Sequence, residues 1–226
     1  MDIILFFLTS TIECLAIHFL MLTLFRFKLK EYALYSLFIS LAMTLLSYSI
    51  RHHPSINAYA IYPQIFTMII GVRLLLKIQW FYASLMTTIA YCSYLSIQVL
   101  MYFLLFSANL LNFNTILKNS EFGIQIMGYI LQTLTLIATI LIIVAIKKSK
   151  AGWQYIPLGK VKVRYSRTVN ILLLVGMAVA ITGFGSVIII GVSGNEIEFF
   201  TAFIVLVFIL MALIKLSNKK DEVQYD

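Results

Sequence analysis

The sequence predicts an all-α polytopic membrane bundle of seven transmembrane helices, with the N-terminus outside and the C-terminus inside. Three observations point there. Hydrophobic residues make up 62% of the 226 and charged residues 12%, with a mean hydropathy of +0.97, whereas charged residues form about a quarter of a soluble domain. Apolar runs of roughly 20 residues, the length that crosses the hydrocarbon core as a helix, recur along the chain with only short polar breaks between them. The seventeen Lys and Arg residues are also unevenly placed. If the runs alternate in direction, fifteen cations fall on one side and two, Arg51 and Lys118, on the other. That asymmetry is the positive-inside bias, and a missed helix would scramble it.

Taken in order, the first span covers about Ile3 to Phe25 and ends at Arg26, Lys28 and Lys30. An acid at Asp2 and a basic cluster after the apolar run are the reverse of a secretory signal, so this reads as an uncleaved span. The second, about Tyr32 to Ile50, closes at Arg51-His52-His53-Pro54, because the residue before a proline disfavours the helical region. The third, about Ala58 to Leu76, tolerates Pro63 in its first turns and needs Arg73 to reach back to the interface. Lys77-Ile78-Gln79 is a tight turn. The fourth span then starts at Trp80, an interfacial aromatic, and continues to about Phe106. A polar loop, Ser107 to Glu121, precedes the fifth span, about Phe122 to Ile146. The sixth, about Asn170 to Val192, and the seventh, about Phe199 to Leu216, are joined by Ser193-Gly194-Asn195-Glu196. Ser217 to Asp226 is expected as a short charged tail.

The one long polar interruption, residues 147–169, carries Lys147, Lys148, Lys150, Lys160, Lys162, Arg164 and Arg167, and no carboxylate lies between Glu121 and Glu196. Anionic lipid headgroups or a cytoplasmic partner are the natural contacts of such a loop. The net charge of +8 is explained by this placement beside apolar spans, which sets nucleic acid aside as a partner. The chain is expected to form a single membrane domain in the plasma membrane, with no room for a soluble catalytic domain.

Polar side chains inside spans tend to face the bundle interior, since hydrocarbon satisfies none of their hydrogen bonds. Ser10, Thr11, Glu13, Cys14 and His18 fall within about 160° of one helical face at 100° per residue. The second span offers Ser36, Ser40, Thr44 and Ser47. The fourth offers Ser84, Thr87, Thr88, Tyr91, Gln98 and Tyr102, and the fifth Gln125, Tyr129, Gln132 and Thr139. Together they would line a shared polar interior, or simply form interhelical hydrogen bonds worth about 0.6 kcal/mol each. Glu13 is the sharpest of them, the only carboxylate deep in any span. It is expected near Gln98, Gln132 or a tyrosine, either as a functional acid or as neutral packing glue. Glu13, Cys14, His18, Tyr91, Gln98, Tyr129 and Gln132 are the candidate intramembrane polar site.

Catalytic and cofactor chemistry finds little here. Cys14 and His18, four apart on one face, suit a nucleophile and base or two metal ligands, but two ligands do not complete a zinc site. No cofactor or metal is expected. A membrane peptidase using Cys14 and His18 is the remaining enzyme reading. Gly191-Val192-Ser193-Gly194 has the form of an intramembrane serine protease motif, yet that chemistry needs a later histidine and all three histidines precede residue 54. A solitary Glu13 excludes a paired-carboxylate protease, and Lys215 lies at a span end, where it cannot hold retinal. Adjacent His52 and His53 suit a solvated turn, or an exterior pH sensor. Gly176, Ala180, Gly183, Gly185 and Gly191 in the sixth span are small residues that let a neighbouring helix, the seventh, approach closely.

Phe25 to Lys30 (FRFKLK), Leu74 to Gln98 (LLLKIQWFYASLMTTIAYCSYLSIQ) and Tyr155 to Leu174 (YIPLGKVKVRYSRTVNILLL) give the chain the look of membrane proteins of Gram-positive bacilli. Those resemble the membrane sensor region of peptide-sensing histidine kinases of the accessory-gene-regulator type. The resemblance rests on hydrophobicity and loop charge and brings no ligand motif. In such kinases the last span leads into a dimerisation helix and an ATP-binding domain, whereas this sequence ends at Asp226. It therefore implies a sensor module without the kinase: a non-enzymatic protein binding a small extracellular or lipid-like ligand, with a cytoplasmic signalling partner and a homodimer as its possible assemblies. The second expectation, from Glu13, is a small proton-coupled transporter or transport subunit.

Overall fold

A computed structural model describes residues 3–51, 61–108, 122–154, 156, 168–193 and 196–225. Among them the chain is entirely helical: α1 (Ile3–Leu24), α2 (Leu29–Arg51), α3 (Ile61–Leu76), α4 (Trp80–Ser107), α5 (Phe122–Ser149), α6 (Thr168–Ser193) and α7 (Glu196–Tyr225). Five of these, α1, α2, α4, α5 and α7, are long and apolar enough to cross a membrane, and α3 and α6 contain shorter apolar stretches, Ile61–Leu74 and Thr168–Phe184. The protein is an integral membrane protein of multi-pass type. Its outer surface fits that solvent: Ile140, Leu141, Val175, Ile204, Val205 and Phe208 are all exposed.

The bundle is built around α4, which packs against α1, α3, α5, α6 and α7. From Phe81 to Tyr94 nearly every side chain of α4 is buried, on all faces of the helix. A helix apolar or uncharged all round is one that other helices surround, and small Ala83, Ala90 and Cys92, each fully buried, allow that close approach. On one flank α1 sits between α2 and α5; on the other α6 and α7 form the most extensive pair. A methyl group on Gly176 would stand 2.8 Å from Leu213 Cδ2. One on Gly183 would stand 3.4 Å from Leu206 Cδ1, so these two small residues of α6 face α7.

Three helices end by the same device. Arg26, Lys77 and Lys150 are the non-glycine residues with positive φ among those described, each at 52°, and they follow α1, α3 and α5. After α1, Phe27 N donates to Leu22 O at 2.8 Å and Arg26 N to Thr23 O at 3.1 Å; after α5, Ala151 N donates to Ile146 O at 3.2 Å and Lys150 N to Lys147 O at 3.4 Å. These pairs are the six-to-one and five-to-two bonds of a left-handed helix cap. A basic residue stands where glycine is usual, and its charge complements the negative end of the helix dipole.

Two stretches carry structure that the sequence reading did not assign. The charged tail after Leu216 continues α7 to Tyr225; the segment lacks Pro and Gly and is rich in good helix formers. Part of the basic segment after α5 packs inward: Trp153 and Ile156 are buried in the main core. The turn at His52 to Pro54, the loop around Lys118 and the basic residues Lys160, Lys162, Arg164 and Arg167 lie outside the described residues.

Candidate functional site

Midway along α1, Glu13 joins three helices. Tyr94 Oη of α4 donates to Glu13 Oε1 at 3.1 Å, and Gln132 Nε2 of α5 donates to Glu13 Oε2 at 3.3 Å. The spacing of the stripe on α4 brings Tyr91 to the same side. It lies within electrostatic reach of both Glu13 and Cys14, its ring meets Phe184 of α6 edge-on at 6.2 Å, and its buried hydroxyl has no protein partner among the described residues. Gln132 Oε1 is likewise buried without one. The cluster therefore combines a carboxyl group, two donors that hold it and two polar atoms with bonding capacity left over. That combination suits binding a polar group or passing a proton.

One turn further along α1, His18 is fully enclosed. Its Nδ1 hydrogen-bonds the main-chain carbonyl of Cys14 at 2.9 Å and lies 3.4 Å from Ser40 Oγ of α2. The imidazole is thus tied to the backbone of Cys14, and both cysteines are buried and outside any disulfide. Among the described residues no three of His, Cys, Asp and Glu gather as a metal site would require. In the serine and threonine stripe of α2, Ser36, Ser40, Thr44 and Ser47 are all buried; Ser40 meets α1 at His18, and Thr11 Oγ1 donates to Thr44 Oγ1 at 3.3 Å.

At the end of the bundle where α1, α3, α5 and α7 finish and α4 and α6 begin, a second polar assembly ties the termini together. Gly152, at φ 116°, lays the chain against α1 so closely that a Cβ would stand 2.5 Å from Leu24 O. Trp153 N then donates to that same Leu24 O at 2.8 Å. The Trp153 ring packs on Phe25 at 5.1 Å and its Nε1 donates to Asn218 Oδ1 of α7 at 2.5 Å. The Arg26 guanidinium donates to Lys150 O. Lys220 Nζ donates to Asn170 Oδ1 of α6 at 2.8 Å and lies 4.5 Å from the Phe81 and Tyr82 rings of α4. Arg73 sits 4.0 Å over Trp80, the interfacial position its place in α3 requires.

Of the seven polar candidates, the structure brings Glu13 and Gln132 into direct contact, sets Tyr91 beside them, and places Cys14 and His18 next along α1. Gln98 and Tyr129 are half-buried, one turn from Tyr94 and Gln132, and no hydrogen bond carries either to Glu13 among the described residues. Lys147, Lys148 and Lys150 are exposed at the end of α5. The tyrosine expected beside Glu13 is Tyr94, which sequence reasoning did not name, and Ser40 is the partner it missed for His18. Tyr94 follows Tyr91 by three and precedes Gln98 by four, so its place on the stripe was available; Ser40 was read as part of its own helix's stripe with no partner assigned. No protein-family model, characterised relative or solved structure matches this chain.

Proposed function

We propose that the chain is a seven-span protein of the plasma membrane, N-terminus outside, acting as a non-enzymatic sensor. A small extracellular or lipid-like ligand acts on the polar centre, and a cytoplasmic partner reads the basic end. The resemblance to peptide-sensing kinase sensor regions belongs to this proposal. The observation that carries it is the course of α5. This helix bonds Glu13 through Gln132 and, about 26 Å further on at 1.5 Å per residue, enters the segment that Trp153 seats between α1 and α7. A change in how α5 rests against α1 and α4 would therefore be felt at the end bearing Arg26, Lys148, Lys150 and Lys220.

A photo-crosslinking side chain at exposed Lys148 tests this in cells. The expected result is one cytoplasmic protein captured, with capture altered by Gln132→Leu. If no protein is captured from the Lys148 position, or capture is indifferent to Gln132, the sensor reading fails. The second reading, a proton-coupled transporter or transport subunit, is favoured by the spare bonding capacity of Tyr91 and Gln132 beside Glu13. In proteoliposomes it requires an ion or solute flux that Glu13→Gln abolishes; flux unchanged by that substitution removes it.

A further inference from the structure

The buried side chains of α5 among the described residues are Thr135, Thr139 and Ile143, and Lys147 lies one turn further on the same side of the helix. There α1 ends too. The Arg26 guanidinium donates to Lys150 O, and Trp153 N donates to Leu24 O at 2.8 Å. Two helix C-termini and the cations Arg26, Lys147 and Lys150, all exposed, therefore meet at one corner of the bundle. Beside them Ile137, Ile140, Val144 and Lys147, spaced three, four and three apart, make one exposed strip of α5. The apolar members of that strip face hydrocarbon. Lys147, about 4.5 Å beyond Val144 at 1.5 Å per residue, then stands at headgroup depth.

Charge decides what this corner takes. Each helix C-terminus carries about −0.5 of an elementary charge, so the two together offset about one of the three cations and leave an excess of about two. Protein acids do not make up the difference: no carboxylate lies between Glu121 and Glu196, and Glu31, the nearest in sequence to Arg26, is bonded to Lys28 at 3.0 Å. A phosphodiester supplies the negative charge, and its paired oxygens match the fork of a guanidinium. The apolar strip running straight into the cations has the outline of a phospholipid, with the acyl chain on the strip and the phosphate at its end. An acidic peptide would meet the cations and leave the strip without a role.

We propose that the corner where α1 and α5 end is a binding site for an anionic phospholipid, its phosphate held by Arg26, Lys147 and Lys150 and its acyl chain lying along Val144, Ile140 and Ile137. This goes beyond the sensor reading and holds whether the chain senses or transports. The test uses the full chain in phosphatidylcholine vesicles with a trace of photolabelled lipid, a diazirine on the acyl chain of either phosphatidylglycerol or phosphatidylcholine. Phosphatidylglycerol labels the α5 segment from Ile137 to Val144 at least about five-fold more than phosphatidylcholine, the contribution of one cation near an anionic headgroup. Arg26→Gln removes most of that excess. Lys77→Gln takes the same charge from the end of α3, a helix that packs against α2, α4 and α6, and leaves the excess in place. Equal labelling by the two lipids overturns the proposal, and so does an equal loss in Lys77→Gln, which would mean a diffuse surface charge only. An excess erased by inorganic phosphate but not by chloride at the same ionic strength would give the site to the free anion and overturn it too. Because the comparison of lipids is made on the unaltered protein, it stands even if Arg26→Gln does not fold.

Discussion

Glu13 receives a hydrogen bond from α4 and another from α5, so a change at this one side chain is felt by three helices. Interhelical bonds in membranes average about 0.6 kcal/mol and reach about 1.7. Tyr94→Phe and Gln132→Leu should each lower unfolding stability in bicelles within that range, and both costs should vanish in a Glu13→Ala background; costs that persist there would place the effect elsewhere. Gly152 makes a sharper case, since φ 116° and a Cβ position 2.5 Å from Leu24 O leave no room for a side chain. Gly152→Ala is expected to cost about 1–3 kcal/mol. Gly128, in the helix with nothing within 4 Å of its Cβ position, is the control: Gly128→Ala should gain about 0.5–1 kcal/mol. Thermal unfolding of both variants distinguishes a local clash from a general intolerance of alanine. The exposed Lys28–Glu31 pair, 3.0 Å apart, is of the surface kind whose contribution is small, although Glu31 holds the Lys28 ammonium above its ordinary pKa.

At the level of elements, the left-handed caps after α1, α3 and α5 put cations at the ends of three helices and accept a conformational penalty for doing so. A left-handed L-residue costs roughly 1–2 kcal/mol. Lys77→Gly should therefore raise stability by about 1 kcal/mol while removing one charge from the basic end, and a denaturation midpoint that falls instead would mean the Lys77 side chain holds the turn. The α6–α7 pair depends on Gly176 lying under Leu213. Gly176→Val forces the two helices apart and should cost about 1–3 kcal/mol, with Leu213→Ala restoring part of the loss in the double variant. Absence of any such coupling would show that another contact sets the spacing.

For the whole molecule, α4 is the post on which the other helices are mounted, and the caps, Trp153, Asn218 and Lys220 gather the basic ends of the bundle into one face. The proposed orientation puts that face in the cytoplasm. Both native cysteines are buried, so a single introduced cysteine reports on topology cleanly. Lys148→Cys should react with a membrane-impermeant maleimide only after cells are permeabilised, whereas Ser49→Cys, exposed two residues before the opposite end of α2, should react in intact cells. Labelling of the Lys148 position from outside would invert the topology.

The sequence by itself determined that lipid is the solvent, that the chain is helical and roughly where each helix begins, because length, hydropathy and the placement of cations are local quantities. It also determined that Glu13 stands out and that a glutamine of the fifth helix was a possible partner, since a helical face can be computed from spacing alone. Only the tertiary structure decided that Tyr94 and Gln132 hold the carboxyl group, that Ser40 meets His18, that α4 lies at the centre and that Trp153 turns part of a basic loop into the core. Those outcomes depend on which helix faces lie against one another, and helical periodicity fixes which residues share a face without fixing what that face will meet.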